Sequence, residues 1–409
     1  MVTQGVDLSP SDLTGLKYLD RLLPMLARLH DVGCARDRAG NRRLHYDQYC
    51  LLVLLALFNP VVRSLRAIQQ ASTLRKVQQR LGCPRTSLGA LSEAADVFDP
   101  TRLEAIIGEL RQEVPRRRAI GGAAVPHVLT AVDGSVVRTL AGLAEAAYLT
   151  DKNGKAHCGW RFHTHFEIDR GVPVRADVTT AANTGKTEEK QQLRGRLEPD
   201  RCYVMDRWFA EFALFNDIVR AGSSYVCRIR DNSNLTDVAE EHPLSEAARR
   251  AQVIGDKVVR LGYKDQRPDH PVRVVLVRAT LHKKTGGRKG GTAGPSCDGI
   301  LRIATNLVGV PPEVIADIYR HRWTVELFFR FFKHVLGCRR LLSQDPVGIQ
   351  IQAYCAIIAC LLIHLWTGGR PTLRSYEMIC FYLSGWADLD ELTAHRERVA
   401  KQGDAKKPN

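Results

Sequence analysis

Pro311 to Gly337, PPEVIADIYRHRWTVELFFRFFKHVLG, is the stretch on which the reading of this chain turns. The Pro311-Pro312 pair with Glu313 marks a helix start and Gly337 marks a stop. Between them Ile318, Val325, Phe328, Phe329, Phe332, Val335 and Leu336 fall on one arc of a single predicted helix. Beside that arc lie Tyr319, Arg322, Glu326 and Lys333, on a strip about 60° wide at about 100° per residue. One side of the helix thus carries a carboxylate between two cations and a phenol, flush against an aromatic seam. Charge alternation of this kind is ordinarily a solvated face. Here its meaning depends on whether partner carboxylates exist upstream.

Two are found where the periodicity changes from helical to alternating. HVLTAVDGSVV predicts a strand over Val128–Val137 carrying Asp133, and CYVMDRW predicts a short apolar strand over Cys202–Trp208 ending on Asp206. Strands also follow from Gly159–Asp169, Val172–Thr179 and Ser224–Arg230, with helices over Thr187–Leu197 and Ala210–Arg220. That order is a mixed α/β sheet, and open α/β sheets place ligands at strand ends. Residues 232–305 interrupt it with probable strands at Val258–Leu261, Val272–Ala279 and Ile300–Asn306 and a Gly/Lys loop, Lys283–Pro295.

Composition sets the class of partner. The 409 residues carry 59 Lys+Arg against 44 Asp+Glu, a net charge of +15. That excess points to a polyanion, most simply nucleic acid, with an anionic membrane surface as the lesser reading. The 11 cysteines are odd in number and form no C-x-x-C pair, so they are read as reduced, buried thiols in a cytosolic chain without a signal peptide. The apolar run Ile349–Trp366 is near spanning length, but Gln350, Gln352 and His364 interrupt it, and it is read as a buried core helix. His157, Cys158, His163 and His165 raise zinc, yet Cys158 and the two later histidines fall on opposite faces of one strand, which favours a plain sheet surface.

Residues 1 to about 120 are predicted helical, with an amphipathic helix at Leu13–Leu29 and a strongly apolar one at Tyr46–Phe58. A helix from about Ser72 stops at Gly82, and Thr86 or Ser87 caps a second, which matches a helix-turn-helix plan. Arg85, Thr86 and Ser87 would meet base edges there, with Arg75, Lys76 and Arg80 as further DNA-binding candidates. Arg116-Arg117-Arg118 and Gly121-Gly122 mark a linker. The expected organisation is a helical DNA-binding domain (1–120), a catalytic core (121–231 and 306–345), a β-rich insertion (232–305) and a helical C-terminal region (346–409) assigned to dimerisation.

Three carboxylates converging at a sheet end repel one another unless cations neutralise them. Mg²⁺ prefers such oxygen ligands, and paired metals about 3.5–4 Å apart drive in-line attack on phosphorus. Asp133, Asp206 and Glu326 are therefore the candidate catalytic metal ligands, with Arg322 and Lys333 clamping neighbouring phosphates. Trp208 and Trp323 are candidates for stacking on a base, against plain packing.

Asp133 in VDGS, Asp206 in MDRWF, and Y-x2-R-x3-E-x6-K as Tyr319, Arg322, Glu326 and Lys333 resemble the DDE transposases of bacterial insertion sequences. More narrowly they resemble the subgroup with the Tyr-Arg-Glu-Lys signature and a β-strand insertion before the glutamate. The resemblance covers roughly residues 120–345 and departs at Trp208, where that family often has Gly. It implies an RNase H-like core, two Mg²⁺ ions for which Mn²⁺ can substitute, and cut-and-paste DNA transposition. It also implies double-stranded DNA partners (terminal inverted repeats and target), a homodimer in a synaptic complex, a distorted or hairpin DNA end, and a cytoplasmic, nucleoid-associated protein with no membrane partner. The rival readings are a catalytically retired regulator of transposition and a stand-alone RNase H-like nuclease.

Overall fold

The computed structural model describes residues 17–31, 37, 40, 42–116, 120, 125–139, 148–150, 156–180, 185–235, 238–262, 267–279 and 299–405. The Lys283–Pro295 loop and most of the 116–122 linker lie outside the described residues. Helices α1 (Lys17–Ala27), α2 (Tyr46–Phe58), α3 (Leu65–Ala71), α4 (Arg75–Leu81), α5 (Leu88–Val97) and α6 (Arg102–Glu113) come first. Strands β1 (Val128–Thr139), β2 (Tyr148–Thr150), β3 (Ala156–Glu167) and β4 (Val172–Thr180) follow. Next are α7 (Gly185–Arg194), β5 (Arg201–Met205), α8 (Phe212–Arg220) and β6 (Ser224–Arg228). The predicted insertion supplies β7 (Val238–Glu241), α9 (Glu246–Arg250), β8 (Val253–Val259), β9 (Val272–Arg278) and β10 (Ile300–Thr305). Helices α10 (Pro312–His321), α11 (Trp323–Arg330), α12 (Pro346–Thr367), α13 (Leu373–Leu383) and α14 (Leu389–Ala405) complete the chain.

Among the described residues the strands form one sheet. β3 is antiparallel to β1 and β4, while β1 is parallel to β5 and β5 to β6. That mixed order is the expected RNase H-like core. The insertion is not a separate body: β10 is antiparallel to β6, and β9, β8 and β7 continue the sheet outward. Alternation along each strand divides the side chains between two cores, one on each face. Ala131, Cys202, Val204 and Val226 face one; Val132, Tyr203, Met205 and Cys227 face the other.

Helix α12 fills the first face. Asp345 caps it, its carboxylate accepting from the backbone N–H groups of Val347 (2.7 Å) and Gly348 (3.2 Å), and Gly368 in the left-handed region stops it. It is long and apolar enough to cross a membrane, but 83% of its most apolar 18-residue window is buried inside the protein, against β4, α6 and α2. The core-helix reading therefore holds. The C-terminal region is consequently central: Tyr376 of α13 donates its hydroxyl to the Leu57 carbonyl at the end of α2 (2.7 Å). Glu104 of α6 accepts from both Arg175 of β4 (3.2 Å each) and Tyr354 of α12 (2.8 Å), joining three regions at one carboxylate.

The predicted single helix over 311–337 is broken. Around Arg322 the bonds tighten to i→i−3, Arg322 N–H to the Tyr319 carbonyl (3.1 Å) and Val325 N–H to that of Arg322 (3.2 Å). After Arg330 the chain widens into a π-turn, Phe331–Val335, in which Leu336 N–H reaches the Phe331 carbonyl (3.1 Å). Arg322 meets Glu326 just after the tight turn, and the wide turn carries Lys333.

Candidate active site

Asp133 stands within β1, as the predicted strand over Val128–Val137 has it. It sits where parallel pairing with β5 has just finished, because the ladder runs only to Ala131 opposite Val204. Asp206 is the first residue beyond β5, so both carboxylates lie at the mouth of one β1/β5 gap. The Asp206 carboxylate accepts from the backbone N–H of Trp208 (2.8 Å), which folds the chain into the next turn. Among described non-glycine residues only Asp200 and Gln252 have positive φ, so this turn does without the glycine expected at Trp208. Glu326, in the first turn of α11, comes from the helix layer over the same face.

Arg322 ties these parts together. Its Nη2 donates to Glu326 Oε1 (2.5 Å) and its Nη1 lies 3.6 Å from Asp133 Oδ2, with only 14% of the side chain exposed. Burial works against its charge, but Tyr319, Glu326 and Asp133 outweigh it and hold the pKa above the ordinary value. Burial pushes Asp133 up to about 7; Arg322 and the Gly134 N–H oppose this, while Asp206 and Glu326 add to it. Burial pushes the Tyr319 phenol up to about 12, so it stays neutral through the physiological range. Burial depresses Lys333, with Asp133 opposing. The Lys333 ammonium is held on β1, donating to Ser135 Oγ (2.6 Å) and the Val136 carbonyl (2.8 Å). It pins the π-turn to the strand that carries Asp133 instead of standing clear as a phosphate clamp.

The other predicted residues are dispersed. Trp323 is 53% exposed at the start of α11, whereas Trp208 is half-buried and packs on the second core. Arg75, Lys76, Arg80 and Arg85 are exposed around α4 and the start of α5, with Gly82 stopping α4 in the left-handed region as predicted. Thr86 is buried, its N–H donating to Ser72 Oγ (3.1 Å), so it braces the turn and cannot read a base. Ser87 caps α5 by accepting from Ala90 N–H (3.1 Å). Arg42 and Arg43 line the same cleft as Arg85 and went unread, though adjacent arginines before an apolar helix were a usable signal. His163 bonds Thr179 Oγ1 (2.8 Å) and His165 meets Tyr203 edge-on, in keeping with a plain sheet face.

Sequence reasoning also missed Glu189. On the opposite face of β1 its carboxylate lies over Gly134, where a Cβ would come within 2.9 Å of its Cδ, and it pairs with Arg161 (2.5 Å). Nothing in the polar run EEKQQ distinguishes that residue from its neighbours.

The three carboxylates suit hard divalent ions, and a guanidinium between two of them shows the site accommodates positive charge. They are spread more widely than one ion needs. Among the described residues only His30, Asp31 and His45 bring three ligand atoms within 4.8 Å. Those two imidazoles are stacked 3.7 Å apart and nearly parallel, so one ion cannot lie in both ring planes.

Residues 125–362 match the family model described as Transposase DDE domain. The chain is 25% identical over 213 residues to a putative transposase, y4zB, of Sinorhizobium fredii, covering 52% of this chain and 54% of that one. It is 29% identical over 238 residues to a probable transposase for insertion sequence element IS5377 of Geobacillus stearothermophilus, covering 57% of each. The chain thus spans about half the length of these curated relatives. The cryo-EM structure of the piggyBac transposase synaptic complex with hairpin DNA aligns over 96% of this chain and 85% of that one at 10% identity, with a TM-score of 0.38, too low to carry weight. The family match takes in β1, β5 and the Arg322–Glu326 turn together, and on that ground the chain belongs to the DDE-domain transposases.

Proposed function

We propose that this chain cuts and rejoins double-stranded DNA at the ends of an insertion sequence, by metal-dependent strand cleavage and strand transfer. The observation that carries this reading is the convergence of Asp133 and Glu326, from a strand and a helix, on the Arg322 guanidinium, with Asp206 at the next strand end close enough to act on the Asp133 carboxyl. The spacing of Tyr319, Arg322, Glu326 and Lys333 supports membership of the Tyr-Arg-Glu-Lys subgroup.

Two Mg²⁺ ions, or Mn²⁺ in their place, would be held by the carboxylates of Asp133, Asp206 and Glu326. Bound ions of this kind activate a water or 3′-hydroxyl and stabilise the leaving oxygen in an in-line displacement at phosphorus. The protein's own part is to set positions and charge. Asp133, pushed up to about 7 by burial, would be held as the carboxylate by a divalent cation beside it. Arg322 exchanges its carboxylate partners for phosphate oxygens, which its planar fork can grip bidentately. The neutral Tyr319 phenol is a donor at the same phosphates, and exposed Trp323 is available to stack on a displaced base. Arg75, Lys76, Arg80 and Arg85 supply phosphate or base contacts to the terminal repeats. A second copy of the chain in a synaptic complex, within the nucleoid-bearing cytoplasm, completes the picture.

The test is cleavage of DNA bearing the element's terminal repeats, against scrambled ends, with and without Mg²⁺. Single replacements Asp133→Ala, Asp206→Ala and Glu326→Ala should abolish cleavage while leaving end binding intact, since base and phosphate contacts are separate from the carboxylates. End binding without cleavage in the unaltered protein would favour the retired regulator. Equal cleavage of scrambled ends would favour the nuclease. Near-normal cleavage by any one variant removes that residue from the site.

A further inference from the structure

We propose that Arg273, held by Asp256, is a positioning residue that sets the Arg322–Glu326 turn, which gives the β-strand insertion a role in the candidate active site. Asp256 lies on β8 and Arg273 on β9, and both are buried, at 1% and 3% exposure. The guanidinium is committed in every direction. Nε and Nη2 donate to the two carboxylate oxygens of Asp256 (2.7 and 2.6 Å). Nη1 donates to the carbonyls of Leu307 (3.1 Å), Val308 (2.9 Å) and Val310.

Those three carbonyls belong to the turn that leaves β10 and enters α10. The same turn is tied at its start, where Asn306 accepts through its side chain from Tyr225 N–H (3.0 Å). It ends at Pro311, the cap of α10. An apolar pair would stabilise the two strands as well or better, because burying two ions costs most of what their attraction returns. What a guanidinium adds is three bonds to backbone oxygens of one turn, in a geometry that only that turn satisfies. Removing it leaves a buried carboxylate and the buried carbonyls of Leu307 and Val310 without their donor.

The mechanical consequence follows from helix geometry. α10 has 10 residues, about 15 Å of rod at about 1.5 Å per residue, and it delivers the chain directly into the tight turn at Arg322. A tilt of about 5° at the cap displaces that end by more than about 1 Å, by the same rise. Catalytic groups tolerate about 0.5 Å, and a misplacement of about 1 Å costs on the order of a hundredfold in rate. The clamp sits at the far end of the lever from Glu326 and touches none of the carboxylates.

The proposal rests on the reading of Asp133, Asp206 and Glu326 as metal ligands, and the experiment separates the two. Calorimetric titration with Mn²⁺ alone, without DNA, compares the full-length protein with Arg273→Lys, Asp256→Asn and Glu326→Ala. Hydrogen exchange of residues 311–326 is followed on the same samples, together with the melting temperature. Arg273→Lys keeps the charge and loses the fork. It should stay folded, weaken Mn²⁺ binding about tenfold, speed exchange across 311–326, and lower kcat for cleavage ten- to a hundredfold with the KM for DNA ends unchanged. Asp256→Asn, which keeps shape and one bond, should give the same pattern more weakly, and it decides the matter if Arg273→Lys does not fold. Wild-type Mn²⁺ affinity and wild-type exchange in the folded variant would overturn the clamp. Identical Mn²⁺ binding by the unaltered protein and Glu326→Ala would instead overturn the active-site reading, leaving the exchange rates to judge the clamp.

Discussion

Asp133→Asn should make the metal-free protein more stable near pH 8 while destroying its cleavage activity. The Asp133 carboxyl is pushed up to about 7, chiefly by burial, against an unfolded value of about 3.9. It therefore binds its proton more tightly folded than unfolded. Stability is greatest below about pH 4, falls as pH rises toward 7, and is level above that. Three units at about 1.36 kcal/mol each give roughly 4 kcal/mol as a ceiling. That ceiling already includes the opposing pull of Arg322, 3.6 Å away, and the 22% of the Asp133 side chain open to solvent screens part of what remains. About 2 kcal/mol is then the expected gain from the neutral side chain above pH 7, a melting shift of a few degrees. Scanning calorimetry in chelator from pH 4.5 to 8.5 reads this directly: the unaltered protein should lose stability across the range faster than Asp133→Asn, and the curves should separate by pH 8. With Mg²⁺ at about 1,000 times its Kd, worth about 4 kcal/mol, the order should invert, because the carboxylate gains far more binding energy from the ion than the amide. Parallel curves in chelator, or a variant less stable at pH 8, would refute the placement of Asp133 among buried like charges.

Glu167 is 1% exposed and faces Arg111 (2.6 Å), Arg201 (3.0 Å) and Arg170 (3.2 Å), so Glu167→Ala takes a buried carboxylate from three cations, of which Arg201 keeps Glu198, and should cost about 3 kcal/mol by chemical denaturation. Because the added methyl would meet Glu189, Gly134→Ala should cost about 1–3 kcal/mol, and the double variant with Glu189→Ala should recover part of it; strictly additive losses would mean the two do not touch. Lys333→Ala should speed amide exchange in β1 around Ser135 and Val136 in protein free of DNA, whereas an effect seen only with DNA bound would return Lys333 to a pure phosphate contact.

The sheet, its two aspartates and the Glu326 helix were legible in sequence for a common reason. Each is written in a short-range pattern: alternation around Asp133, an apolar run closed by Asp206, and spacings of three, four and seven on one helix. The Ile349–Trp366 run was legible as a helix, but its central place was not, because burial on every side reads the same whether the neighbours are sheet, helices or lipid. The break at Arg322 was hidden because no proline or glycine marks it; tertiary packing and the Arg322–Glu326 contact decide it. Glu189 and the Asp256–Arg273 pair were invisible for a deeper reason. Both are long-range pairings, across 28 and 17 residues, between polar side chains whose own segments look like ordinary surface or strand. One sequence carries no trace of which polar residue will be buried.

The cationic strip is where sequence and structure differ most instructively. Read from spacing alone, Arg322 and Lys333 point at phosphates. In the folded chain both serve the carboxylate cluster first, Arg322 by bridging Asp133 and Glu326, Lys333 by bonding the strand next to Asp133. Asp206 and Glu326 add to the burial that raises Asp133, and a protein must bring positive charge to such a group or keep it protonated. Arg322 meets part of that need, and Asp133 near 7 carries the remainder as a proton. A phosphate that takes the edge of the guanidinium now facing Glu326 must displace that carboxylate, which Nη2 holds at 2.5 Å. Phosphate capture on that edge releases Glu326, and release exposes a carboxylate that a second cation can satisfy. Under the proposed function, binding of a DNA end and binding of divalent ions are coupled through this one side chain, each making the other more favourable, in proportion to the strength of the bond that both must break.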